Sequence, residues 1–190
     1  MKKILIGIGI IALVYVLLLG ASFLFDIQLG PPLYERNSEK YLSTHGFGPD
    51  IVAALLAGTP IGHETVATLS KVPDVSVRHM LGRNRHLTSD ERLALFQDKN
   101  EFVRQGVAMN PSLSREEISQ AMADSSTFVW GALAMNPAVP ADVLLELRSL
   151  RHVSLSDFAH NPNCPDAIVK EIEASDDSIA KDLLRIHGNR

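Results

Sequence analysis

Cysteine occurs once in these 190 residues, at Cys164, which excludes an internal disulfide and any site built from several thiolates, iron–sulfur clusters included. Positive charge is in short supply as well: 18 Lys and Arg stand against 22 Asp and Glu, a formal net charge of −4. Without Lys2 and Lys3 the balance is 16 basic to 22 acidic residues, or −6, which argues against general nucleic-acid binding. There is no glycine-rich phosphate loop and no serine on a nucleophile elbow. The histidines show no pair at metal-ligand spacing with a carboxylate partner, and the carboxylates are scattered over helix starts, where the helix dipole favours them. No cofactor and no metal are expected. Catalysis survives only as a hydrolase site assembled from distant parts of the chain.

Charge is missing altogether from Ile4 to Phe25, a run whose 22 residues would span about 33 Å as a helix. Lys2 and Lys3 precede it and Asp26 follows, so the basic end should stay in the cytoplasm and the rest should be exported. The reading adopted is an uncleaved signal-anchor over residues 1–25, with a single pass through the inner membrane and the remainder in the periplasm, or outside the cell in a single-membrane organism. A cleaved signal peptide is the alternative: Gly20 and Ser22 are small enough for a cleavage site, but Phe23, Leu24 and Phe25 follow directly. Residues 26–48, with "GPP" and "STHGFG", read as a linker or stalk.

Beyond residue 48 the dominant feature is a repeat. "VAMNPSL" (Val107 to Leu113), "LAMNPAV" (Leu133 to Val139) and "FAHNPNC" (Phe158 to Cys164) are variations on one heptad, 26 and then 25 positions apart. The pattern extends both ways. Val52, Val77, Val103, Val129, Ser154 and Ile179 lie 25, 26, 26, 25 and 25 residues apart, and four residues after them stand Leu56, Leu81, Val107, Leu133, Phe158 and Leu183. An apolar i, i+4 pair marks one face of a short helix. Asp74, Asn100, Ser126 and Asp176 supply N-caps three residues before the pair, while Pro49 and Arg151 stand there in the other two units. Each first helix is broken seven residues after the pair begins: Thr59 with Pro60, Asn84 with Arg85, then Asn-Pro at 110, 136 and 161.

A second helix then starts at a capping box (Thr88 with Glu91, Ser114 with Glu117) or at Pro140 and Pro165. Two helices in 25 or 26 residues are too short to stand alone, so they must stack. The fold class expected is all-α: an α-solenoid of short helix pairs over residues 49–190, with five units and a C-terminal capping helix from Ile179.

The string of apolar residue, Ala, variable residue, Asn, Pro, preceded by Val-Arg at Val77 and Arg78 and at Val103 and Arg104, resembles the leucine-rich repeat variant family and, more distantly, HEAT-type repeats. The resemblance covers about Val52 to Ile186. It implies a superhelix of alternating short helices that serves as a contact surface and carries no catalytic motif. The N-terminal cysteine cluster described for some members has no counterpart here.

Within the repeat, Cys164 falls where Leu87, Leu113 and Val139 stand, an inward place that reads as a packed core thiol. Trp130 occupies the column of Arg78 and Arg104. Those three residues are the first candidate for a partner-binding ridge, with helices about 10 Å apart. The competing reading is that Trp130 fills a core gap and the arginines pair with acids or helix ends. Met109 and Met135 share another column, just before the asparagines. The stretch "VRHMLGRNRHLTSDER" gathers basic residues, of which Arg83 and Arg85 are the second candidate site. The function expected is a membrane-anchored, extracytoplasmic protein-binding module, a scaffold, assembly or immunity-type factor that grips a protein partner in the cell envelope. An envelope hydrolase or a structural spacer is the alternative.

Overall fold

The computed structural model describes residues 33–150 and 152–187. Among them are twelve α-helices and no strand, an all-α, helical repeat-like arrangement. The helices are α1 (Leu33–Thr44), α2 (Pro49–Ala57), α3 (His63–Leu69), α4 (Val75–Arg83), α5 (Ser89–Phe96), α6 (Glu101–Ala108), α7 (Arg115–Met122), α8 (Thr127–Met135), α9 (Ala141–Ser149), α10 (Leu155–Ala159), α11 (Asp166–Ala174) and α12 (Ser178–His187).

They alternate as the repeat demands. The first helices of successive units form one row, α4 on α6, α6 on α8, α8 on α10 and α10 on α12, while α5 and α7 each lean on the first helix of the next unit. The apolar pairs of the three central units, Val77 with Leu81, Val103 with Val107 and Val129 with Leu133, are fully buried in this row. Asp74, Asn100 and Ser126 cap α4, α6 and α8 by accepting from the amides of Val77, Phe102 and Phe128. Both capping boxes are closed, Thr88 with Glu91 and Ser114 with Glu117. Cys164 is buried in the core, as its column implied.

Small residues set the spacing of the row. A Cβ on Gly82 would lie 2.8 Å from Val107 Cγ2 and 2.9 Å from the Val107 amide nitrogen, and one on Gly106 would lie 2.4 Å from the His79 carbonyl oxygen. Helices α4 and α6 therefore approach so closely that only glycine fits on each side. One position beyond the apolar pair, Gly82, Ala108, Ala134 and Ala159 continue a buried column of minimal side chains.

Several expectations need correction. Part of the stretch read as linker, residues 33–44, is the helix α1, which packs on α4 and extends the row of first helices. Its Tyr34, Ser38 and Leu42 follow i, i+4 spacing, with Ser38 and Leu42 fully buried. The physical reason is that the first helix of an array presents an apolar face that something must cover. At the other end Ile179 is half exposed and Ala180 takes the inward place, because Asp177, one residue later than expected, accepts from the Ala180 amide and resets the register. In the fifth pair Ser154 is itself the N-cap, which shortens α10 to five residues. In α2 the buried residue is Leu55 and not the pair Val52 and Leu56.

The localisation as a single-pass inner-membrane protein is also corrected: among the described residues no helix is long and apolar enough to cross a membrane. The span expected over residues 4–25, and with it the signal-anchor of residues 1–25, lies outside the described residues.

Candidate functional site

The asparagines that break each first helix form a ladder running the length of the array. Asn110 Nδ2 donates to the carbonyls of Gly82 and Asn84, both at 2.8 Å. Asn136 Nδ2 repeats this on Ala108 at 2.8 Å and Asn110 at 2.9 Å, and Asn161 Nδ2 on Ala134 at 2.8 Å and Asn136 at 2.9 Å. Asn84 opens the ladder on the Thr59 carbonyl at 2.8 Å. The Oδ1 atoms accept from the amide two residues on, that of His86, Ser112, Ala138 or Asn163. An amide side chain is required because it alone offers two donors and an acceptor without charge. The helix-end carbonyls that would otherwise be orphaned are thus satisfied by the next unit.

The first candidate site, Arg78 with Arg104 and Trp130, is turned inward. Arg78 Nε donates to Asp98 Oδ2 at 2.7 Å and Nη2 to Oδ1 at 3.3 Å, while Nη1 donates to the Val72 carbonyl at 2.6 Å and that of Pro73 at 3.1 Å. Arg104 repeats the clamp on Asp124 at 2.6 and 3.1 Å, with Nη1 on the Asp98 carbonyl at 2.8 Å. Burial alone would raise the carboxyls of Asp98 and Asp124, but the arginine hydrogen bonds and the amides of Asn100 and Ser126 hold both below the ordinary aspartate range. Each pair is separated by 20 residues, and 20 residues after Trp130 stands Leu150 instead of an acid. Trp130 accordingly packs against the core, partly buried, with Nε1 donating to the Met122 carbonyl at 3.2 Å and its ring 5.7 Å from that of His152. This column holds units together and offers no free ridge. The recurring Arg-to-Asp interval was the signal that would have revealed it.

The basic stretch is likewise dispersed. Arg92 is buried against Glu117, with Nε at 2.8 Å and Nη2 at 3.1 Å, and joins that carboxylate to the Leu87 carbonyl. His79 lies stacked on the Phe102 ring at 3.9 Å and directs Nδ1 at the Phe102 carbonyl at 2.7 Å, so that nitrogen carries the proton. Burial lowers its pKa to about 4, with the nearby charge of Arg83 acting in the same sense, so it is neutral at pH 7. Arg85 is exposed. Arg83 is half-buried, donates to the Tyr34 hydroxyl and stands 5.5 Å above the Tyr34 ring.

Arg83 belongs to the column just before the ladder: Arg83, Met109, Met135 and His160, from α4, α6, α8 and the end of α10. These four line one cavity of about 310 Å3 together with Ala132, Asn136, Pro137, Pro162 and His187. The wall is mainly apolar, and among the described residues no carboxylate lines it. The His187 ring centroid is 5.1 Å from that of His160, and burial followed by the proximity of His160 lowers the His187 pKa. Of the second candidate pair, then, Arg83 reaches a recess and Arg85 does not. Met109 and Met135 share a column in the sequence, but nothing in one chain's letters ranked that column above its neighbour.

Comparison with protein-family models, with curated proteins and with solved structures gave no match. The resemblance to leucine-rich repeat variants and to HEAT-type repeats therefore rests on the residue pattern alone.

Proposed function

We propose that this chain is a non-catalytic protein-binding module, an α-solenoid of short helix pairs that grips an extended segment of a partner along the column Arg83, Met109, Met135 and His160. The observation that carries the reading is that side chains from four successive first helices converge on one recess of about 310 Å3 with a soft, mostly apolar wall. Methionine adapts its shape to whatever is laid on it, and backbone atoms beneath the wall are already satisfied by the asparagine ladder. With interaxial spacings of about 8 to 10 Å, four helices present a track of roughly 24 to 30 Å, the reach of about eight extended residues. The solenoid description, which the repeat-variant resemblance implies, belongs to this proposal. So does the absence of catalysis: the buried or half-buried carboxylates that could do acid–base work, such as Asp98, Asp124 and Glu117, are engaged in clamps with arginines.

A photoreactive residue in place of Met135 tests the proposal. In cells making the protein it should crosslink to a discrete protein, whereas the same group in place of Glu146, exposed on α9, should not. Equal capture from both positions, or none from position 135 or from position 109, refutes the groove as the contact surface and returns the weight to a structural spacer.

A further inference from the structure

The charge at the groove identifies what it would hold. We propose that its occupant is an acidic peptide strand with an apolar anchor: a carboxylate pairs with Arg83 while the neighbouring apolar side chain lies between Met109 and Met135. The inference rests on the groove reading above.

Three observations support it. The first is the treatment of Arg83 compared with the other buried or half-buried arginines. Arg78 and Arg104 are each clamped in two-pronged fashion to the aspartate 20 residues on, Arg92 to Glu117 of the next unit, and Arg148 to Glu171. Arg83 is held by the phenol and ring of Tyr34, and among the described residues no carboxylate forms an ion pair with it. Only Nη1 makes that bond, so the Nε and Nη2 donors remain for a planar, bidentate acceptor. The second is the sign of the wall. Among the described residues its ionisable groups are Arg83, His160 and His187, all cationic or neutral, in a chain whose formal net charge is −4. Glu35 borders Arg83 only in a second cavity of about 170 Å3 and does not line the groove. An anionic ligand is therefore drawn to this recess and repelled by most of the remaining surface. The third is position. Arg83 stands at one end of the track, so a strand laid along it meets the guanidinium first and the two methionines next, one and two helices on. A single acid beside a large apolar residue satisfies both.

The probe is a set of fluorescent eight-residue peptide pools with a central Leu flanked by Asp or Glu, by Asn or Gln, or by Lys or Arg, randomised elsewhere and titrated against the full chain by anisotropy. The acidic pool should bind at least tenfold more tightly than the amide pool, and the basic pool most weakly. Arg83→Gln should bring the acidic and amide pools to within twofold of each other, Arg83→Lys should keep part of the preference, and both variants should melt like the wild type. If the pools bind alike, or the preference survives in R83Q, the acidic-ligand proposal falls. In that case loss of all binding in Met135→Glu would still leave the groove reading standing. If no pool binds, or binding is unchanged in M135E, both fall. Binding by anionic phospholipid vesicles in place of every peptide also overturns the proposal.

Discussion

Replacing Asn136 by alanine should destabilise the array by about 3 kcal/mol. The side chain is buried, its Nδ2 donates to the Ala108 and Asn110 carbonyls, and its Oδ1 accepts from the Ala138 amide. The Ala108 carbonyl has no substitute, because the Ser112 amide, its helical partner by spacing, is already committed to Asn110 Oδ1. The Asn110 carbonyl and the Ala138 amide lose a bond as well. Three groups deprived of a partner, at the lower end of about 1 to 3 kcal/mol each, give the figure. Urea titration followed by helix circular dichroism measures it. Asn163→Ala is the internal control: Asn163 also donates across a unit boundary, to the Pro137 carbonyl at 2.8 Å, but it is exposed, and its loss should cost under about 0.5 kcal/mol.

Asn136→Asp sharpens the test, since its second oxygen would face two carbonyl oxygens in a buried site. The aspartate pKa would be raised in the folded state, so the deficit against wild type should be smallest below about pH 4 and grow as pH rises from there. The reasoning is refuted if N136A unfolds within about 0.5 kcal/mol of wild type or matches N163A.

Further perturbations follow from the same contacts. Arg104→Ala should cost about 1.5 kcal/mol by taking its charged hydrogen-bond partner from the half-buried Asp124, and should lower the midpoint of unfolding without touching the groove; a stability-neutral R104A would return that residue to the binding face. Because Asp98, Asp124 and Glu117 titrate below their unfolded values, the stability they contribute is present above about pH 4 and is lost as pH falls through their folded pKa values, and D98N with D124N should flatten that acid limb. His79 acts in a separate window. Its folded pKa of about 4 lies below the unfolded 6.5, so its contribution is full above pH 6.5 and drains away toward pH 4, and His79→Phe should remove this dependence while leaving the lower limb. Gly106→Ala should destabilise by about 1 to 3 kcal/mol despite better helix propensity, because its Cβ would sit 2.4 Å from the His79 carbonyl; a stabilised G106A in thermal melts would contradict the close approach of α4 and α6.

The sequence by itself determined what local physics writes into adjacent residues. The all-α class, the 25 to 26 residue period, the caps at Asp74, Asn100 and Ser126, the two capping boxes and the inward pairs from Val77 to Leu133 are all consequences of spacing within one or two turns of chain. The breaking role of the asparagines was legible for the same reason. Tertiary structure alone decided where the polar columns and the column before the asparagines face. Arg78 and Arg104 resembled a binding ridge until the fold placed Asp98 and Asp124 against them, and a guanidinium's long reach lets one side chain serve either purpose. Helix α1 was hidden because its helix-period pattern is short and follows "GPP", so its burial depends on an apolar face supplied mainly by α4. The groove could not be read at all. It joins Arg83, Met109, Met135 and His160 across 77 positions of chain, and single residues separated by whole units acquire a common surface only when the row of helices sets their spacing and direction.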